Sequence, residues 1–417
     1  MATDRKTVHK HFGYLRCDDF AAYLEEMAAK GWHLESWGAA LHFVKGAPEQ
    51  VTYAVEVFSD ATDYDTRPEP NTQEFAEYCE AAGWHLVDAR GKMCIFKKLR
   101  SDALPITTQE ERLDTVFREE RKGILRNILI SGIWVAMRWG EFLGYGFLRD
   151  AFLPQNLMIL IGWTTLFLAA VGSFFCLVIW KIRSKKRIRD GLMLHLGRGG
   201  PFPGFGNRGY SVALIIVLPM WLSGLVWMGE WGAVTVILVF YAAMLLMGWL
   251  IARFRPDAVT NQIIQILVSC VLVIGVFIIG IGSLAVEPAQ TTPPEDLPLR
   301  YEDIGGDAGA LEHVDTEYRS SVLGSMSYFG LFYEDGYVVY FIYESEKSWV
   351  LDRVWEEETS ASNWEDCTDL WEAEQAVSRF GYGYVVRYPD RIITFNGIYG
   401  DQLTHEQIAR IRDILCP

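Results

Sequence analysis

Apolar positions change their rhythm twice along the chain. Over the first hundred residues they recur at helical or alternating spacing, from about 123 to 285 they run nearly unbroken, and beyond 300 they alternate among acids. The middle stretch holds apolar runs at about 123–146, 156–180, 211–229, 231–252 and 262–285, each close to the ~20 residues that carry a helix across a bilayer core. They predict an α-helical transmembrane bundle of about five helices. No charge interrupts Leu157 to Trp180 or Gln262 to Val286. Arg138 and Glu141 fall inside the first run. They stand three apart on one helix face and are expected to form an intramembrane charge pair near its outer end, where charged side chains reach the interface. Pro219 is expected to kink the third run.

Basic residues orient these runs. Arg118, Arg121, Lys122 and Arg126 cluster about the start of the first, Lys181, Arg183, Lys185, Lys186, Arg187 and Arg189 follow the second, and Arg253 and Arg255 follow the fourth. An excess of Lys and Arg marks the cytoplasmic side. The six residues from Lys181 to Arg189 are therefore expected to be a cytosolic basic cluster, with the N-terminus in the cytosol and the C-terminus outside. Met1 to Lys10 is polar and lacks the apolar core of a cleaved signal peptide, which also predicts a cytosolic first domain. The expected location is the plasma membrane, crossed several times.

Within residues 1–100 the segment Phe20 to Leu34 resembles Phe75 to Leu86, and each ends in the same tetrapeptide, Gly31-Trp32-His33-Leu34 and Gly83-Trp84-His85-Leu86. Phe20, Leu24 and Met27, like Phe75, Cys79 and Ala82, keep helical spacing, and the glycine that follows suits a left-handed helix end. Asp18 or Asp19, and Asn71 or Thr72, are the expected N-caps. Strands are predicted over 6–15, 32–37, 41–45, 51–58, 84–89 and 93–97. The order β-α-β-β-β-α-β-β describes a ferredoxin-like α+β duplication in which Gly31, Trp32, Gly83 and Trp84 anchor the two repeats. A linker spans 101–122, the transmembrane region 123–285, a Pro-rich stalk 286–299, and an acidic extracytoplasmic α+β domain 300–417. In that last domain strands are predicted over 321–332, 337–343, 382–387 and 392–395, a helix over 364–378, and a helix capped by Thr404 and Gln407 at its end.

The acidic helix followed by Gly-Trp, the strand Leu41-His42-Phe43 and the second Gly-Trp before Ile95-Phe96-Lys97 resemble the bacterial membrane family defined by domain of unknown function 2812, over residues 6–98. The resemblance implies a fold and a membrane location. Because members of that family lie beside PadR-like transcription regulators, it also implies a regulatory role, with such a regulator or another membrane protein as partner.

Residues 286–417 hold 26 acids against 9 bases, while the whole chain has a net charge of −15. So acidic a domain repels phosphate backbones, and direct nucleic-acid binding is not expected. The seven cysteines form no Cys-x-x-Cys pair, so zinc ribbons and thioredoxin-type chemistry are not indicated, while Cys367 and Cys416 are the two that could meet in an oxidising space. His9, His11, His33, His42 and His85 have no cysteine or carboxylate at zinc-like spacing. Gly204 to Gly209 spells the dinucleotide-binding string but follows a Gly/Pro-rich loop rather than a strand. No cofactor, metal site or catalytic residue is assigned, and no nucleophile motif indicates an enzyme. The layout leads to a membrane-anchored sensor or regulatory adaptor linking an extracytoplasmic domain to a cytosolic one. The alternative is a transporter or channel-like subunit handling a small solute or lipid, which would call for more polar groups in the helices.

Overall fold

Each Gly-Trp tetrapeptide joins a helix to a strand, and the two repeats fold alike. β1 (Arg5–Val8), α1 (Cys17–Ala29), β2 (Trp32–Trp37) and β3 (Leu41–Lys45) form the first, and β4 (Tyr53–Val57), α2 (Pro70–Ala81), β5 (Trp84–Arg90) and β6 (Met93–Lys98) the second. In both, the last strand lies in the middle of an antiparallel three-stranded sheet, in the orders β1-β3-β2 and β4-β6-β5. The computed structural model describes residues 4–144, 146–197, 231–268, 297–305, 309–380, 383–398 and 403–415, with isolated positions in 213–219 and at 270.

The expected ferredoxin-like duplication is therefore corrected: the repeats make two small sheets, not one. The physical reason lies in β2 and β5. Each lies at the edge of its own sheet and carries a register shift against its neighbour, after Leu34 and after Leu86, and such irregularities bend and twist a strand. The Trp37 N–H donates to a side chain, Asp88 Oδ2 at 2.6 Å, and Arg90 donates to the Gly38 carbonyl.

Gly31 and Gly83 have φ of +77° and +94°, the left-handed conformation that lets a helix stop and a strand begin. A Cβ at position 31 would also lie 2.7 Å from the Gly46 carbonyl oxygen. Trp84 is buried and its Nε1 donates to the Leu104 carbonyl at 2.7 Å, whereas Trp32 is half-buried against the core of the first repeat. Helix starts differ from expectation. Arg16 occupies the N-cap position of α1, placing Asp18 and Asp19 in its first turn, where carboxylates favour the helix dipole. α2 opens on Pro70, after Glu69.

The helices that follow are α3 (Gln109–Leu143), α4 (Phe147–Asp150), α5 (Pro154–Arg189) and α6 (Trp231–Phe254). Among the described residues one helix, α5, is long and apolar enough to cross a membrane, so the expected bundle of about five crossing helices is corrected. α3 starts at Gln109 with a polar half, and Arg126, Arg138 and Glu141 break up its apolar half. Ala242–Phe254 within α6 and Ala258–Val268 are shorter apolar stretches among the described residues. Most of the third run, and the fifth run beyond 262–268 and 270, fall outside the described residues. So do the 204–209 string, the stalk up to residue 296, and Cys416.

The chain divides into two compact units, Met1–Ile133 with Thr164–Ser283 and Trp134–Trp163 with Leu284–Pro417. In the first, Phe20, Leu24, Leu41, Phe43, Val55 and Ile95 share one buried core with Leu113, Val116 and Ile124 of α3 and Leu177 and Trp180 of α5.

The second unit is built on a seven-stranded antiparallel sheet. Its elements are β7 (Leu311–Ser321), β8 (Gly324–Tyr333), β9 (Gly336–Glu344), α7 (Ser348–Glu358), β10 (Glu365–Asp366), α8 (Thr368–Trp371), β11 (Gln375–Arg379), β12 (Gly383–Arg387), β13 (Arg391–Ile398) and α9 (His405–Leu415), with strand order β10-β11-β12-β13-β9-β8-β7. Strand periodicity splits its side chains between two cores. Val338 and Tyr340 pack with Ile408 and Ile411 of α9, and Tyr343 packs with Val350 and Val354 of α7. Thr404 and Gln407 exchange hydrogen bonds at the start of α9. The helix expected over 364–378 is instead β10, α8 and β11, because Glu372 turns the chain at φ +46° and Gln375 to Arg379 pair with β12. Pairing with a neighbouring strand overrides a local helical spacing.

Candidate functional site

Polar clusters, one kind in each unit, stand out as positions where distant segments are tied together. In the first unit Thr108 and Glu111 cap α3 reciprocally, which fixes Arg112 in the opening turn. Arg112 lies 2.7 Å from Asp18 Oδ1 and 3.3 Å from Glu56 Oε2, and its Nη2 donates to the Val55 carbonyl at 3.1 Å. Its Nε is near Glu56 without an aligned hydrogen bond, so we attribute the Glu56 contact to charge. Burial raises the Glu56 carboxyl above its ordinary value, with Arg112 and a hydrogen bond from Thr107 opposing the rise. Asp18 also receives the Leu196 N–H at 2.7 Å, and its own N–H donates to the Leu196 carbonyl. One guanidinium thus joins α1, β4 and α3, and Asp18 adds the segment after α5.

A second tie in this unit is centred on Asp88. Arg255 grips it with both nitrogens, Nη1 at 3.1 Å and Nη2 at 2.9 Å, and Nε donates to the Thr66 carbonyl at 2.6 Å. Asn261 Nδ2 donates to the Tyr64 carbonyl and Thr66 Oγ1 to the Pro256 carbonyl. The residues after α6 are therefore fastened to the second repeat. A third tie is Glu119, which is buried and accepts from Lys92 at 2.6 Å and Lys122 at 2.8 Å.

In the second unit, Arg138 donates to Glu141 at 2.5 Å and to Asp150 at 3.1 Å, and Asn156 donates to the other oxygen of Asp150 at 2.8 Å. Phe142, Phe147, Phe152 and Leu160 around this cluster share a buried core with Met326, Tyr343, Val350, Leu351 and Val354. Arg353 of α7 donates to the carbonyls of Leu143 and Gly144, capping the end of α3 with a cation.

Glu358, at the end of α7, accepts from Tyr343 at 2.7 Å. Burial is the main influence on its carboxyl and raises it, against that hydrogen bond. A carboxylate whose folded-state pKa is raised binds its proton more tightly when folded, so it favours the fold most at low pH and opposes it as pH rises through that value. Glu358→Gln keeps an acceptor for Tyr343 and removes the charge. Its thermal midpoint is expected to exceed that of the parent at pH 7.5 and to converge with it toward pH 4, measured by thermal unfolding across pH. A lower midpoint at pH 7.5 would show that the charge stabilises the site.

The residues singled out from sequence are thus dispersed. Gly31, Trp32, Gly83 and Trp84 hold the two repeats, Arg138 and Glu141 join Asp150 and Asn156, and Lys181 to Arg189 end α5. Lys181 pairs with Asp114 at 2.9 Å, while Lys185, Lys186, Arg187 and Arg189 are exposed. His33 bonds the Ala47 carbonyl, His42 bonds Thr7, and His85 lies 3.5 Å from Glu80. Among the described residues no three or more His, Cys, Asp or Glu side chains gather as metal ligands would. The Asp88–Arg255 and Asp18–Leu196 ties were not read from the sequence. Their partners lie 167 and 178 residues apart, and no local pattern marks them.

The model of a family described as protein of unknown function (DUF2812) matches residues 16–128. That span contains both repeats' helices and the first half of α3. No curated protein and no solved structure matches the chain.

Proposed function

We propose that this chain, whose residues 16–128 are a DUF2812 domain, is a membrane-anchored sensor or regulatory adaptor. The N-terminal unit lies in the cytosol, the acidic C-terminal unit lies outside, and α5 provides a crossing of the plasma membrane. One observation carries the reading. α5 gives one end to the buried core of the first unit, through Leu177 and Trp180, and the other end to that of the second, through Leu160. A helix shared by two cores can bias both, which is the physical requirement for coupling. The basic ends of the helices support the orientation. A transcription regulator or another membrane protein is the expected cytosolic partner.

Amide hydrogen exchange of the full chain in lipid nanodiscs tests it, comparing the parent with Arg353→Ala. The substitution removes the bonds to the Leu143 and Gly144 carbonyls, and exchange is expected to rise within 134–163. An adaptor requires a second rise within 109–124 or 190–197. A change confined to the second unit would sink the reading.

A further inference from the structure

The first unit carries exposed basic side chains set directly against exposed apolar ones. On α3, Arg121, Lys122 and Arg126 are exposed, and so are Leu125 and Leu129 at 44% and 64%. On α5, Lys185, Lys186 and Arg189 are exposed, while Phe175, Ile179 and Ile182 are open at 61%, 41% and 65%. The two helices lie side by side here, since Lys181 reaches both Asp114 and the face of the Phe117 ring at 4.2 Å. Over residues 114–126 and 181–189 ten basic residues meet three acidic ones. Asp114 is engaged by Lys181 and buried Glu119 by Lys92 and Lys122.

We infer that this rim binds the phosphate headgroups of anionic phospholipids, with the neighbouring Leu, Ile and Phe side chains among the acyl chains. Charge complementarity points to an anion. The interleaving chooses the lipid over a nucleic acid: Ile182 stands between Lys181 and Arg183, and Leu125 beside Arg126, where a phosphate backbone in water would leave both apolar side chains exposed. A lipid surface covers them and supplies the phosphates in the same plane. Sharing a helix with the crossing fixes the depth of the rim, since Lys and Arg stems lie along apolar surface while their charged heads stay at the interface. This inference rests on the membrane reading above and adds the class of lipid recognised.

The test uses the full chain in mild detergent, incubated with equimolar phosphatidylglycerol and phosphatidylcholine, with retained lipid quantified by mass spectrometry. Each cation at an anionic interface is worth roughly a fivefold preference, so the parent should retain several-fold more phosphatidylglycerol. The variant Lys185→Gln/Lys186→Gln/Arg187→Gln/Arg189→Gln should lose most of that preference, and a Lys185→Arg/Lys186→Arg control should keep it. Equal retention of the two lipids by the parent, or a preference unchanged in the glutamine variant, overturns the inference. So does displacement of the phosphatidylglycerol by millimolar inorganic phosphate or by an RNA oligonucleotide. Flotation with vesicles of phosphatidylcholine alone separates the two readings. A chain that does not float ends both, and one that floats without preferring phosphatidylglycerol ends this one alone.

Discussion

Asp88→Ala is expected to destabilise the first unit by about 3 kcal/mol, the scale for breaking a buried ion pair while leaving its partner in place. Asp88 is nearly buried and accepts from Arg255 twice, from Trp37 N–H and from Ala89 N–H. Its loss strands a guanidinium that is one-quarter exposed and takes away the acceptor of the Trp37 N–H. Arg90, whose guanidinium is already disfavoured mainly by burial and further by Arg255, would face that unpaired charge. In a unit of this size the thermal midpoint should fall by roughly 6–12 °C. Arg255→Ala should cost less, because Asp88 keeps two backbone donors. A double-mutant cycle should show a coupling of at least about 1 kcal/mol. Additive effects would mean that the bidentate pair is not the fastening that the distances describe.

Asp150→Ala should have an effect of similar size, about 3 kcal/mol, confined to the second unit. Asp150 is almost fully buried, and removing it leaves the Asn156 amide without its acceptor and Arg138 with Glu141 alone. Since Phe147 and Phe152 are fully buried beside it, loosening this cluster should open the 146–157 segment first. Limited proteolysis should then cut there at a temperature where the parent resists. Asp150→Asn retains an oxygen acceptor and should fall between the two. Parent-like resistance in Asp150→Ala would place the stability of this segment in the aromatic core instead of the charges.

Much of the N-terminal domain was legible because its signals are local. A helical spacing followed by Gly-Trp, twice, fixes two helices, their left-handed ends and the strands that follow. The middle strand of each sheet was not legible, because strand order depends on which hydrophobic faces meet, and β2 and β5 are linked through the Asp88 side chain rather than by a strand ladder. The reading of 364–378 as a helix failed for a related reason: Ala376, Val377 and Arg379 take their conformation from β12, which lies beyond any local window. Apolar run length also misled. It does not show where a helix begins, and α3 proved to be one continuous helix from Gln109 with a polar half.

By itself the sequence determined the repeat, the acidic C-terminal domain, the apolar character of α5 and the basic residues at its end, since all of these follow from composition and short-range periodicity. Tertiary structure alone decided that Asp88 meets Arg255, that Asp18 meets Leu196, and that Asp150 completes the Arg138 pair. Those contacts depend on chain segments brought together by burial of apolar surface, a non-directional force that fixes proximity without leaving a pattern in either segment.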